Sequence, residues 1–332
     1  MPPADGWVHL ASGEPLWMAW SPDSRRVLIE SGGSVELFDS DGRHVSSEEG
    51  ASEAAWIDET RYLAYRSPVE AVLIDVAGSA PLTVDLGAAS EPGIGNGRGA
   101  VTVPRMRDRQ WPDARWDFVV WTEAAVSDRH DGYPVAWSPD GTKLAVLRQF
   151  GRQRSPGGWL EVLSWPGLET LYADEPPFAT GEATFDPQSE FVAYPTSIGD
   201  GDDIEVIERV VSLDTGDVVD LPRDFSGGGV WNSDQQLTIT REDGTMTTYA
   251  ADGAVAGMQN SPGLAAIASL DGSAAAFWDG DSPETVTVIR DGGSQATDAP
   301  AEGTSLFGLS PDGSALWARA EGVTYDAFLR RL

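Results

Sequence analysis

Short apolar runs alternate with polar turns along the whole chain, and no long window carries a helical period. Typical runs are Val27–Ile29, Leu144–Leu147 and Ala315–Ala318, and residues such as Ser, Pro, Asp and Gly precede each of them. Short strands bounded by turn residues are typical of sheet proteins. The pattern therefore predicts an all-β protein.

A five-residue turn motif recurs ahead of the apolar runs. Four clear copies begin at Trp20, Trp137, Phe185 and Leu309, and four degenerate copies begin at Trp56, Ile94, Trp231 and Ala268. Eight units in 332 residues average about 41 residues, the length of a four-stranded propeller blade. We therefore predict a single β-propeller domain over residues 1–332 with eight blades, or seven if the region around position 94 is an insertion.

The motif has a local physical basis, which is clearest in the copy at Trp137. Ser138, Pro139, Asp140 and Gly141 suit the four positions of a type I turn. Proline presets its own φ, and glycine allows the backbone to twist into the next strand. The aromatic residue before the turn should end the innermost strand of a blade, strand A, and pack between blades. The apolar run after the turn is then strand B.

The sequence Trp-Ser-Pro-Asp-Gly-x-x-Leu-Ala at 137–145 resembles the TolB-like, WD-related propeller repeat. The resemblance extends over essentially the whole chain. It implies a β-propeller but says almost nothing about function, because propellers carry many unrelated activities.

The two ends of the chain should meet in one blade. The last copy leaves no residues for a fourth strand, whereas the apolar segment Trp7–Leu10 precedes the first copy and has no blade of its own. We predict that this segment pairs with the last blade and removes an exposed sheet edge.

Composition narrows the possible functions. The 53 acidic and 22 basic residues give a net charge of −31, which disfavours binding of duplex nucleic acid. The absence of cysteine excludes disulfides and Cys-ligated metals. The sequence has no apolar run long enough for a membrane span and no signal-peptide pattern at Met1. We expect a cytoplasmic monomer if Met1 is native, or an extracytoplasmic protein from which a leader or anchor has been removed.

The candidate binding site is a concentration of arginine in the loops that join strand B to strand C. The loops 104–115 and 148–158 together hold seven arginines in 23 residues, whereas a uniform spread would give about 1.5. Guanidinium groups bind carboxylates and phosphates in pairs of hydrogen bonds and stack on aromatic rings. The predicted ligand-binding residues are Arg66, Arg105, Arg107, Arg109, Trp111, Arg115, Arg129, Arg148, Phe150, Arg152 and Arg154.

Two interpretations of these arginines stay open. In the first, the protein is a non-catalytic binding or scaffold propeller that recognises an anionic small molecule or an acidic protein segment without a cofactor. In the second, the arginines pair internally with acidic loops such as 200–203.

An enzymatic alternative, a lyase or hydrolase, would use the same face with His130 as the base. The chain has only three histidines, so metal sites built from histidine are disfavoured. Asp200, Asp202 and Asp203 are weak calcium candidates, since they lack the spacing of a twelve-residue EF-hand loop.

Overall fold

The computed structural model describes residues 5–13, 18–86, 93–106, 116–149, 158–174, 183–198, 205–223, 229–279, 283–290, 293–321 and 325–332. Within these ranges, 31 strands form eight antiparallel sheets, which are the blades of an eight-bladed propeller. No helix in the same ranges has the length and apolar character needed to cross a membrane.

The first half of the chain forms β1 and blades 1 to 4. The strands are β1 (Trp7–Gly13); in blade 1, β2 (Met18–Trp20), β3 (Arg26–Ser31), β4 (Ser34–Asp39) and β5 (His44–Glu49); in blade 2, β6 (Glu53–Trp56), β7 (Arg61–Ser67), β8 (Glu70–Asp75) and β9 (Leu82–Asp85); in blade 3, β10 (Ala100–Met106), β11 (Trp116–Thr122) and β12 (His130–Asp131); and in blade 4, β13 (Tyr133–Trp137), β14 (Lys143–Gln149), β15 (Gly158–Ser164) and β16 (Thr170–Ala173).

The second half forms blades 5 to 8. The strands are, in blade 5, β17 (Thr184–Phe185), β18 (Phe191–Ile198), β19 (Glu205–Ser212) and β20 (Val218–Pro222); in blade 6, β21 (Gly229–Trp231), β22 (Leu237–Thr240), β23 (Thr245–Tyr249) and β24 (Val255–Asn260); in blade 7, β25 (Ala265–Ala268), β26 (Ala274–Trp278), β27 (Thr285–Arg290) and β28 (Gly293–Asp298); and in blade 8, β29 (Thr304–Leu309), β30 (Ala315–Glu321) and β31 (Tyr325–Arg331).

The predicted closure of the ring is confirmed. The eighth sheet has the order β1-β31-β30-β29, so the first strand of the chain supplies the outermost strand of the last blade. Trp7 pairs with Arg330 across this junction and is 5% exposed. Its indole N–H also donates to the Asp298 carbonyl at 2.9 Å, which ties the closing strand to blade 7.

The hydrophobic core lies between adjacent blades. Val27, Leu28 and Ile29 of β3 are all fully buried, because a strand B residue meets a neighbouring blade on either side of its sheet. The tryptophans that end strand A also lie between blades, as the motif predicts. The indole N–H donates to a backbone carbonyl of the preceding blade in three cases: Trp56 to Ala19 at 3.1 Å, Trp137 to Ile94 at 3.0 Å and Trp231 to Thr184 at 3.3 Å.

The turns that join strand A to strand B lie on one face of the propeller, here named the turn face. Hydrogen bonds link each turn to the next around this face. The donors and acceptors are, in order, Asp312 N to Ser24 Oγ, Arg26 Nη1 to Glu59 O, Gly99 N to Ile57 O, Asn96 Nδ2 to Gly141 O, Asp140 N to Ser189 Oγ, Gln188 Nε2 to Ser233 O, Ser233 N to Gly272 O and Asp271 N to Pro311 O. The propeller is therefore closed in two ways: by β1, which completes the last blade, and by polar contacts between successive turns.

Candidate functional site

The loops that join strand B to strand C lie on the opposite face, here named the loop face. In blade 3, β10 ends and β11 begins on this face; β14 and β15 do the same in the adjacent blade 4. Of the predicted ligand-binding residues, the structure describes Arg66, Arg105, Arg129 and Arg148. The residues Arg107, Arg109, Trp111, Arg115, Phe150, Arg152 and Arg154, and the calcium candidates Asp200, Asp202 and Asp203, lie outside the described residues.

Two of the described arginines are held by carboxylates of the protein. The Arg66 guanidinium contacts Glu48 of blade 1, with its Nε 3.2 Å from Glu48 Oε1, and lies 4.0 Å from Glu70. Arg148 forms an ion pair with Glu161, whose side chain is 8% exposed. These two positions therefore match the internal-pairing interpretation.

Arg105 lies in a different environment. Its Nη2 donates to the Leu86 carbonyl at 2.6 Å, and its buried Nε has no hydrogen-bond partner in the part of the chain that the structure describes. Burial lowers the pKa of Arg105, and the positive charge of Arg129 lowers it further, while Asp117 acts in the opposite direction. Arg105 and Arg129 thus repel each other, and an anion bound near both would relieve that repulsion.

His130 lies on the short strand β12 and pairs with Phe118 of β11. The two rings are 5.6 Å apart and tilted by 34°. His130 lines neither of the two cavities described below. Its role as a base stays a prediction.

The other two histidines form contacts that the sequence pattern did not reveal. His9 Nε2 lies 3.1 Å from Asp326 Oδ1 and 3.0 Å from Ser12 Oγ, and Ser12 Oγ donates to the same carboxylate oxygen at 2.6 Å. His44 repeats this arrangement with Glu36 and Ser47 in blade 1. The acid and the serine contact the same imidazole nitrogen, so neither group has the relay geometry of a hydrolase triad.

Two cavities near the centre of the propeller are lined by described residues. The first, of about 600 Å³, opens at the turn face and has an aromatic and proline-rich wall with Asp58, Glu59 and Arg98 among its polar residues. Its apolar lining includes Trp20, Pro22, Trp56, Ile94, Trp137, Pro139, Leu270 and Pro311. Six blades contribute to it, so no single repeat predicts it.

The second cavity, of about 330 Å³, is lined mainly by blades 4 to 7 and is here named the blade 5–6 cavity. It shares Ala136, Trp137 and Leu270 with the first. Most of its wall is apolar, but it also contains Arg223 and Glu208, which form an ion pair with side chains 9% and 2% exposed. A buried ion pair in the wall of an apolar cavity has a high desolvation cost, which makes this a second candidate site.

Among the described residues, no group of three or more His, Asp or Glu side chains is placed to hold a metal ion.

Comparison with known proteins supports the architecture. No protein-family model matches the chain, and no curated protein matches it in sequence. The C-terminal WD40 domain of Sif2 is similar in structure, with 12% identity over 98% of both chains and a TM-score of 0.63. BamB from Moraxella catarrhalis has 11% identity over 97% of this chain and 99% of that chain, with a TM-score of 0.58.

An enzyme is also among the similar structures. Oligogalacturonate lyase in complex with manganese has 9% identity over 100% of this chain and 95% of that chain, with a TM-score of 0.59. At these identities the likeness shows the fold alone, because propellers of one architecture serve unrelated functions. The chain is therefore an eight-bladed β-propeller, similar in structure to WD40 and other propeller proteins.

Proposed function

We propose that this propeller is a non-catalytic binding module whose loop face, over blades 2 to 4, recognises an anionic small molecule or an acidic protein segment. The observation that carries the proposal is topological. The strands that flank the two arginine-rich segments end on the same face of adjacent blades. We also place the repeat in the TolB-like group, which is supported by the hydrogen-bonded Ser-Pro-Asp turns.

The described arginines divide the face into two parts. Arg66 and Arg148 are engaged by Glu48 and Glu161, so they position neighbouring strands. Arg105 and Arg129 repel each other, and this repulsion supports an anion site. The binding energy is then supplied by this pair together with Arg107, Arg109, Arg115, Arg152 and Arg154.

The test compares removal of two loop-face cations with removal of two cations elsewhere. The double variant Arg107→Ala/Arg152→Ala should fold normally and lose binding to citrate, inorganic phosphate or a polyglutamate peptide, measured by thermal shift and calorimetry. The control is Arg25→Ala/Arg43→Ala, which makes the same change in net charge at side chains that are each 79% exposed. Equal binding by both variants, or no binding by the unaltered protein, would overturn the proposal.

A further inference from the structure

The described residues satisfy the guanidinium of Arg223 only in part. Its Nη1 contacts Glu208, and the buried Nε has no hydrogen-bond partner among the described residues. Four arginines in the described ranges share this unpartnered Nε, namely Arg105, Arg223, Arg241 and Arg319. Arg223 is the one of the four that lines either central cavity. A buried donor without an acceptor is unfavourable, so the position is suited to an acceptor supplied from outside.

Two other arginines of this chain show what occupies that edge. Arg209 Nη1 contacts Asp174 at 3.0 Å, while its Nε and Nη2 donate to the two carboxylate oxygens of Asp220 at 2.7 and 2.9 Å. Arg61 contacts Glu123 through Nη1 and Asp58 through Nε and Nη2. In both cases one carboxylate binds at Nη1 and a second binds at the Nε edge. Arg223 has the first carboxylate, and no described residue supplies a second one at Nε.

The surroundings of Arg223 provide space for the missing group. Small residues line much of the blade 5–6 cavity, and their small size creates its volume of about 330 Å³. These residues are Ala136, Ala183, Ala193, Gly229, Ala266 and Ala268. Larger apolar side chains, among them Val230 and Ile267, complete the wall. The volume is at the lower end of the range for small-molecule pockets.

We infer that the blade 5–6 cavity binds a small monocarboxylate with an apolar body. The carboxylate accepts two hydrogen bonds from the Nε edge of Arg223, while Glu208 holds the opposite edge and fixes the orientation of the guanidinium. The apolar body lies against the alanine-lined wall. The inference does not depend on the loop-face proposal, because Glu208 and Arg223 belong to blade 5, which carries neither of the arginine-rich loops.

The experiment uses benzoate as the probe and benzamide as its neutral counterpart. Calorimetry on the full chain should show saturable binding of benzoate and at least about tenfold weaker binding of benzamide, because benzamide is neutral and has an NH2 donor in place of the second acceptor oxygen. Arg223→Lys keeps the positive charge beside Glu208 but removes the two parallel N–H donors of the guanidinium. It should therefore weaken benzoate binding by about tenfold or more.

Two further variants separate binding from folding. Ala266→Leu fills the cavity without changing the ion pair and should abolish benzoate binding. Arg61→Lys makes the same chemical change at an arginine whose two edges are both occupied by protein carboxylates, and it should leave benzoate binding unchanged. The thermal unfolding midpoint of each variant reports whether it is folded.

Two outcomes would overturn the inference: the absence of benzoate binding at millimolar concentration, and benzoate binding that Arg223→Lys does not weaken. In the first case, binding of a peptide through its C-terminal carboxylate would make the cavity a site for a protein terminus rather than for a small molecule.

Discussion

At the scale of single residues, one side-chain oxygen organises each turn on the turn face. In three of the four clear copies it is a serine: Ser138 Oγ, for example, donates to Asp140 at 2.6 Å and accepts from Lys143 N at 2.9 Å. The fourth clear copy, at Phe185, uses Asp186, and the degenerate copies at Ile94 and Trp231 use Asn96 and Asn232. Each of these three side chains accepts backbone N–H groups from residues up to five positions later. The capping chemistry is thus retained where the letters of the motif differ.

Ser24 shows a local conflict between backbone strain and hydrogen bonding. It has a φ of 59°, where the copies at Trp137, Ala268 and Leu309 place glycine, and its Oγ accepts from Asp312 N at 3.0 Å. We expect Ser24→Ala to lower the free energy of unfolding by about 1 kcal/mol, because the strain stays and the inter-blade bond is lost. Ser24→Gly should be close to neutral, since relief of about 1 kcal/mol of strain offsets the same loss. Denaturant unfolding measures both variants, and equal effects would contradict this account.

The turn carboxylates make stability depend on pH. Burial raises the pKa of Asp140, but hydrogen bonds from Ser138 and Thr142 and the charge of Lys143 outweigh it, so the pKa lies below 3.8. A folded-state pKa below the unfolded value gives stability that is present above about pH 4 and is lost as the pH falls through the folded pKa. We expect Asp140→Asn to be less stable at neutral pH and to lose less stability below about pH 4. Unfolding midpoints across this range measure the effect, and parallel curves would contradict it.

At the scale of elements, blade 3 explains why one copy of the repeat is hard to recognise. Its innermost segment is reduced to a single bridge between Gly95 and Val101. A Cβ on Gly95 would lie 1.6 Å from the Trp56 carbonyl, and a Cβ on Gly93 would lie 1.3 Å from the Thr102 carbonyl. Glycine is required here because neighbouring backbone occupies the space of a side chain. The copy at Ile94 therefore still forms a blade of the ring, although it lacks the Pro and Asp of the turn motif.

The closing strand β1 should contribute strongly to stability. Deleting residues 1–13 leaves the edge of β31 unpaired, so we expect a lower melting temperature and self-association through that edge. Trp7→Ala should cost about 3 kcal/mol, because it removes a large buried side chain. Val8→Ala on the same strand is the control and should stay within about 0.5 kcal/mol, since Val8 is 42% exposed. An unchanged melting temperature after the deletion would contradict the role of β1.

At the scale of the whole molecule, the net charge of −31 opposes the compact state. The free energy gained from the inter-blade core and from the hydrogen bonds between turns must exceed this electrostatic repulsion. We expect the melting temperature to rise as sodium chloride increases from about 10 mM to about 300 mM, because salt screens repulsion between exposed carboxylates. Scanning calorimetry measures this rise. A melting temperature that falls with added salt would show instead that favourable ion pairs, such as those of Arg209, outweigh the repulsion.

The amino-acid pattern alone predicted the repeat and the closing strand and favoured eight blades over seven; the eight sheets of the structure decided the number. The prediction was possible because each blade is specified by local patterns, namely apolar runs of strand length and a turn whose residues act within a few positions of one another. The pairing of Trp7 with Arg330 followed from counting strands, since a ring with an open edge would expose unpaired backbone groups. The concentration of arginine on the loop face was also visible, but not whether each arginine has a partner.

Only the tertiary structure decided the partners. Glu48 and Arg66 come from different blades, so their ion pair depends on how the blades are packed. Arg223, its Nε edge and the alanine wall around it come from several blades that meet only in the folded ring. Burial and ion pairing depend on which blades are in contact, so the same residues in a differently packed fold would be neither buried nor paired in this way.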